Sequence, residues 1–163
     1  MKRTWAPRGH TPQVCTSLQH YERVNLIGAI GLTPRGRKCK LFVQMHGTTI
    51  NGPKVVRFLQ LLLKRRRGPL VLLWDRHPMH WRKTVRCWLE HHPRLHVCEF
   101  PIGAPELNPV EFLWAQVSSA TAGTAPHNGR ELRANVRAAL ARCRRSQRRL
   151  RACLKASDLP CLF

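Results

Sequence analysis

The chain has 163 residues, of which 43% are hydrophobic, so it is long enough for one domain with a sizeable core, and wholesale disorder is excluded. Its formal net charge of +21, from 29 basic and 8 acidic residues, favours polyanionic partners, with nucleic acid ahead of an acidic membrane surface. No apolar run approaches membrane-spanning length, and the first residues lack the apolar core of a secretory signal. We therefore predict a cytoplasmic protein without a membrane segment.

The cysteine pattern gives a second compositional constraint. Seven cysteines are present, an odd number, and none of them forms a C-x-x-C pair. This pattern favours reduced, structural thiols over a disulfide framework or a zinc site. Cys87 and Cys98 lie among apolar residues and are predicted to be buried.

The first part of the chain predicts an irregular segment, a hairpin and a helix. Residues 1–23 contain two prolines and a glycine, which exclude a long regular element. Residues 24–30 and 40–46 are predicted to be the two strands of an antiparallel hairpin. Asn51 is the expected N-cap of a helix that has apolar residues at helical spacing and a basic last turn.

The middle of the chain predicts a strand, a helix and a second strand. Leu70 to Trp74 are five consecutive apolar residues, which is typical of a strand buried on both faces of a parallel sheet. Asp75 follows directly, at the edge of the sheet where open α/β folds place their ligand sites. A helix over residues 81–91 and a strand over residues 95–100 come next. The simplest alternative for Asp75 is that it only ends the strand and caps a turn.

The last part of the chain predicts two helices joined by a polar linker. Asn108 is the expected N-cap of a helix that reaches about residue 120, with Glu111 as its third residue. Residues 121–129 form the linker, and a single helix over residues 130–154 follows. Ten basic residues lie between Arg130 and Lys155, against one acidic residue. The whole order predicts an α/β fold with a mixed sheet and helices on both of its faces, followed by a basic C-terminal helix.

Asp75 and Glu111 are the two candidates for chemistry. The first ends a strand and the second lies in the first turn of a helix, so the fold can bring them to one edge of the sheet. Two adjacent carboxylates repel each other unless a cation lies between them, and their hard oxygen atoms suit Mg²⁺ or Mn²⁺. The alternative for Glu111 is purely structural, because a Glu at this position completes a capping box.

Three sequence blocks resemble the DDE transposases. Residues 100–114, FPIGAPELNPVEFLW, match the signature P-x-x-A-P-x-L-N-P-x-E-x-x-W of that family. Residues 70–80, LVLLWDRHPMH, resemble its second strand-end aspartate with a histidine five residues later. Residues 4–12, TWAPRGHTP, resemble the segment that follows its first catalytic aspartate. The resemblance covers most of residues 4–120 and is closest to the bacterial insertion-sequence branch of the mariner-like superfamily.

The resemblance implies a fold, a reaction and a set of site residues. The fold is RNase H-like, and the reaction is cleavage and joining of DNA by three carboxylates that hold two metal ions, Mg²⁺ or Mn²⁺. Asp75 matches the second carboxylate and Glu111 the third, so both are predicted metal ligands. His80 matches a residue that orients the substrate or a carboxylate, although an ordinary surface histidine is an equal alternative. Arg76 and Gly103 replace the asparagine and the aromatic residue that are usual in relatives.

The match also implies that one part of the family site is missing. No aspartate precedes Asp75, so the first catalytic aspartate and the central strand that carries it are expected to be absent. Residues 12–18 are only a weak candidate for that strand. Residues 1–120 are then a partial catalytic domain, and residues 121–163 are a linker and an Arg-rich helix.

Two functional hypotheses follow. The first is a fragment of a transposase catalytic domain that acts on transposon ends and target DNA but cleaves poorly as an isolated chain. It would lie in the bacterial cytoplasm at the nucleoid, as a homodimer or complemented by the product of an upstream reading frame. The second is a non-catalytic, basic protein that binds nucleic acid through its charge.

Overall fold

The computed structural model describes residues 8–9 and 23–159, and all structural statements below refer to these residues. Four strands and five helices follow one another along the chain. The strands are β1 (Asn25–Leu32), β2 (Cys39–His46), β3 (Leu70–Trp74) and β4 (Leu95–Glu99). The helices are α1 (Gly52–Arg65), α2 (Lys83–Glu90), α3 (Pro109–Thr121), α4 (Gly129–Arg145) and α5 (Gln147–Ala156). The predicted segments 4–12 and 12–18 lie almost entirely outside the described residues.

The strands form two separate pairs. β1 and β2 make an antiparallel hairpin with a register that runs from Asn25 opposite His46 to Leu32 opposite Cys39. β3 and β4 are parallel, and α2 connects them. The predicted hairpin and crossover are thus both present, but no described strand joins the two pairs into the single mixed sheet that was expected.

Two hydrophobic clusters cover the hairpin on opposite faces. On one face, Ile27, Ala29 and Phe42 pack against α1 together with the inward residues of β3, β4 and α2. On the other face, Leu26, Ile30 and alternate residues of β2 pack against α3, α4 and α5. This alternation follows from the two-residue period of a strand, which sends neighbouring side chains to opposite faces. The predicted α/β fold class, with helices on both faces, is confirmed.

The prediction of one long C-terminal helix is wrong. The chain leaves helical geometry at Ser146, whose hydroxyl oxygen accepts a hydrogen bond from the backbone N–H of Arg149 at 3.2 Å and begins α5. Gln147 then pairs with the backbone of Cys39 through two hydrogen bonds of 2.9 and 2.8 Å. After the break, α5 packs on α3 and β2.

The residues after 120 contribute to the same core as the strands. Buried side chains of α4 and α5 pack with those of β2 and α3 in one cluster. The division into a partial catalytic domain before residue 121 and a linker with an Arg-rich helix after it stays a prediction. No helix in the described part of the chain has the length and apolar character that crossing a bilayer requires.

The cysteines divide into a buried and an exposed set. Cys39, Cys143 and Cys153 are buried, whereas Cys87 and Cys98 are exposed, so the prediction that these two are buried is wrong. Their positions on α2 and β4 put them on faces that no described element covers. Desolvation by burial, with a smaller contribution from Cys143, raises the pKa of Cys153 from 9.0 to about 11.

We expect an alkylating reagent at pH 8 to modify Cys87 and Cys98 within minutes and to leave Cys153 unmodified in the native protein. The thiolate is the reactive form, and Cys153 is both protonated at this pH and 1% exposed. Peptide mapping by mass spectrometry measures each site, with urea-unfolded protein as the control in which all sites react. Equal rates at Cys153 and Cys87 in the native protein would contradict this assignment.

Between pH 9 and 11 the free energy of unfolding should fall as pH rises, because in this range the Cys153 thiol loses its proton only in the unfolded state.

Candidate metal and nucleic-acid site

A cavity of about 480 Å³ lies between β1 and β3 and contains the candidate residues at its edge. Asp75, His80 and Glu111 all line it, together with apolar side chains of both strands and of α1. The three residues come from different elements, so the fold brings together what the sequence separates by up to 36 positions. The cavity is therefore the structural setting of the site.

Asp75 is held at the carboxyl end of β3 by two hydrogen bonds. Its Oδ1 atom accepts a bond from the backbone N–H of His77 at 3.2 Å and lies 3.0 Å from Nε2 of His80. The side chain is 53% exposed, so the second carboxylate oxygen is open to solvent. Asp75 does cap a turn, which was the simplest alternative for this residue, but the turn uses only one of its two carboxylate oxygens.

His80 is fixed in place by stacking as well as by hydrogen bonding. Its ring lies on the ring of Trp74, with centroids 4.2 Å apart and planes inclined by 16°. Burial lowers the pKa of His80, and His77 adds to this effect, whereas Asp75 and Glu99 oppose it. In the neutral ring that burial favours, Nε2–H donates to Asp75, which leaves the buried Nδ1 without a partner among the described residues. The aromatic partner Trp74 was not identified from the sequence, where it reads only as the end of the apolar run.

Glu111 lies in the first turn of α3, and its carboxylate makes no hydrogen bond or ion pair with the described residues. Asn108 caps the helix through a 3.1 Å bond from the N–H of Val110. A capping box would need the N–H of Asn108 to donate to Glu111, but it donates instead to the carbonyl oxygen of Pro105 at 3.0 Å. Glu111 therefore does not complete a capping box. Its side chain is exposed and available to a ligand.

The position of α3 relative to β1 depends on a close contact. The ring of Trp114 lies so near Gly28 that a Cβ atom there would come within 2.7 Å of it. Trp114 packs against the core cluster that α3 shares with α4 and α5. Since Trp114 lies one helical turn after Glu111, this contact fixes the start of α3 beside the cavity.

The two departures from the family pattern have local structural reasons. Arg76 turns to Glu99 of the neighbouring strand, with Nε 3.3 Å from the carboxylate oxygen Oε2. Gly103 has a φ of +70°, a left-handed conformation that an aromatic residue would adopt only with strain. Neither departure removes a carboxylate from the site.

The carboxylate oxygens of Asp75 and Glu111 are donor atoms that suit a hard divalent cation. Mg²⁺ is commonly bound by one or two carboxylates plus substrate phosphates, and Asp75 and Glu111 are two carboxylates that line the same cavity. Within residues 8–9 and 23–159, no group of three or more His, Cys, Asp or Glu side chains is arranged to hold a metal ion. A complete set of three or more protein ligands is therefore not found among the described residues.

Two groups of exposed basic residues lie outside the cavity. Arg82, Lys83 and Arg86 are exposed around the start of α2, which follows the Asp75 turn. A second basic region, which we call the C-terminal basic surface, consists of exposed residues at the junction of α4 and α5. Its members are Arg144, Arg145, Arg148 and Arg149. Such regions attract polyanions over a distance of about 10 Å at moderate salt.

The fold and the site together define a basic α/β domain with two carboxylates at the end of a strand and the start of a helix. A family model described as DDE superfamily endonuclease matches residues 1–133, so the chain belongs to that family. The chain is also similar to the catalytic domain of the Mos1 mariner transposase. The TM-score is 0.49, the sequence identity is 15%, and the match covers 82% of this chain and 81% of that one. No curated protein matches the chain significantly.

Proposed function

We propose that this chain is a DNA-processing catalytic domain in which Asp75 and Glu111 hold divalent metal for cleavage and transfer of DNA strands. The observation that supports the proposal is that both carboxylates line one cavity. Each has at least one oxygen that makes no hydrogen bond to the described residues. Membership of the DDE superfamily agrees with this chemistry. The substrates would be transposon ends and target DNA, which the net charge of +21 would attract.

Each residue of the site would have a distinct task. Asp75 and Glu111 would bind the cation, and His80 would position Asp75 by donating Nε2–H to one of its oxygens. Stacking on Trp74 would keep the imidazole in this orientation. Bound Mg²⁺ or Mn²⁺, two ions in a complete family site, supplies activation of the attacking hydroxyl and stabilisation of the leaving oxygen.

The 163-residue chain alone would cleave DNA inefficiently. Glu22 is the only acidic residue before Asp75, so the printed sequence offers no aspartate for a third ligand upstream of the site. A third carboxylate would lie outside the printed residues. The nucleoid is the expected location for a protein with this substrate.

We expect Asp75→Asn and Glu111→Gln each to weaken Mn²⁺ binding to the protein–DNA complex by at least about tenfold, because each removes a charged ligand. Electron paramagnetic resonance of free Mn²⁺ measures the affinity with a short duplex present. Glu90→Gln is the matched control, since Glu90 is an exposed carboxylate at the end of α2 that does not line the cavity. An unchanged affinity in both site variants would overturn the proposed metal site.

A second candidate function is nucleic-acid binding without catalysis, favoured by the charge alone. Binding would then be indifferent to Mg²⁺ and to Asp75→Asn. The two functions are distinguished by a nicking assay on supercoiled DNA and by the dependence of DNA affinity on Mg²⁺. Metal-dependent nicking by the purified chain, abolished by Asp75→Ala, would contradict the expected inefficiency and exclude this second function.

A further inference from the structure

The connection between β3 and α2 carries an exposed tryptophan. The side chain of Trp81 is 52% exposed. The other tryptophans of the described residues, Trp74, Trp88 and Trp114, are buried or half-buried. Tryptophan has a large apolar surface that folded proteins usually cover for the most part. The exposed indole of Trp81 is therefore a candidate contact surface.

Packing at the start of α2 does not account for Trp81. The residue before a helix N-cap commonly packs on an apolar residue at the fourth helical position. The N-cap of α2 is Arg82, so Trp81 occupies this place, but the fourth position is the exposed Arg86. Trp81 is also not a member of either hydrophobic cluster, although Met79 and Trp88 pack against one of them. Among the described residues, the indole thus lacks the usual apolar partner.

The backbone around Trp81 is tied to Asp75. Three hydrogen bonds of 3.2, 2.9 and 3.4 Å close successive turns between Asp75 and Arg82. His80, the residue directly before Trp81, also places its Nε2 atom 3.0 Å from Asp75. The indole is therefore presented by a hydrogen-bonded loop that also carries a proposed metal ligand. A loop ordered in advance loses little conformational entropy when a ligand binds.

The residues that follow Trp81 are basic. Arg82 and Lys83 come next, Arg86 lies about one turn later, and all three are exposed. The first turn of α2 contains no acidic residue. An aromatic face beside several cations is typical of sites for unpaired nucleic acid, where bases stack on the ring and cations attract the phosphates. In a duplex the bases are stacked on one another, so such a ring reaches a base only where it is unpaired.

We propose that Trp81 stacks on the base of an unpaired nucleotide of the DNA, close to the phosphate that Asp75 and its cation would bind. The inference rests on the proposed function, because DNA is the substrate named there. Arg82 and Lys83 would attract the neighbouring phosphates. A membrane surface is a poorer match, since it would need further apolar side chains beside Trp81, and the next three residues are Arg82, Lys83 and Thr84.

The test compares two labelled DNA duplexes that differ at one unpaired nucleotide in a short single-stranded extension. One duplex has a base at this nucleotide, and the other has an abasic sugar with the same phosphates. Without divalent metal, we expect the full chain to bind the first at least about fivefold more tightly, which is the lower end of the effect of base–aromatic stacking. Fluorescence anisotropy measures both affinities.

Two variants show whether Trp81 causes this preference. Trp81→Leu keeps an apolar side chain without a ring and should bind both duplexes equally, whereas Trp81→Phe should keep most of the preference. The dependence of affinity on salt should be unchanged in both, because neither substitution alters a charge. As a direct readout, 5-iodouracil at the unpaired position should form a photochemical crosslink to Trp81, which peptide mapping by mass spectrometry identifies.

Each contrary result has a distinct meaning. Equal affinity of the unmodified chain for the two duplexes would overturn the stacking proposal. An equal loss for both duplexes in Trp81→Leu would do the same, since it would indicate a structural role. So would binding to phosphatidylglycerol vesicles that Trp81→Leu abolishes while DNA binding stays intact. None of these results affects the Mn²⁺ measurement on Asp75→Asn and Glu111→Gln, whereas absence of any DNA binding would overturn both proposals.

Discussion

Replacing Leu113 by alanine is expected to lower the free energy of unfolding by about 2–5 kcal/mol, the range for a Leu truncated in a rigid core. Leu113 is 0% exposed on α3, and its cluster unites β2, α3, α4 and α5. The cavity that the substitution leaves has walls from several elements, so the surroundings can close it only in part. Urea denaturation followed by circular dichroism measures the loss.

Two further variants show whether this loss is specific to the core. Ile102→Ala removes a side chain that is 81% exposed and should change stability by less than about 0.5 kcal/mol. Leu59→Ala removes a 1% exposed side chain from the cluster on the other face of the hairpin and should cost as much as Leu113→Ala. If Leu113→Ala were as mild as Ile102→Ala, the packing of α3 against the C-terminal helices would be wrong.

DNA affinity is expected to fall about 10³- to 10⁵-fold between 50 and 200 mM salt, the range for proteins that make 6–10 phosphate contacts. With 29 basic against 8 acidic residues, most of the binding free energy should come from the release of counterions. Fluorescence anisotropy of a labelled duplex at several salt concentrations gives the slope of log affinity against log salt. A slope near zero would remove DNA as the partner of either proposed function.

The C-terminal basic surface can be tested with the same measurement. Replacing its four arginines by glutamine should reduce the slope by about 0.9 for every residue that contacts a phosphate. Replacement by lysine is the matched control, because it keeps the charge and should keep most of the slope. If glutamine and lysine variants had the slope of the unmodified chain, these arginines would be solvated charges without a phosphate contact.

Local signals in the sequence were sufficient to predict most of the elements. The caps Asn51 and Asn108 were identified correctly, because an Asn side chain before an apolar helical pattern satisfies free N–H groups at any helix start. The apolar run Leu70–Trp74 was identified as a strand for an equally local reason. The break at Ser146 was missed, since the partner of Gln147 is the backbone of Cys39, 108 residues away. No local pattern contains such a contact.

The candidate site, too, was predicted only in part from the sequence. The sequence by itself determined which carboxylates are candidates, because Asp75 ends an apolar run and Glu111 follows a helix cap. Only the tertiary structure decided that both line one cavity, that Trp74 holds His80 against Asp75, and that Asn108 leaves Glu111 free. The resemblance to the family implied a missing central strand, and no strand among the described residues joins β1 to β3. Backbone pairing joins residues that are distant along the chain, and it depends on which strand lies beside which.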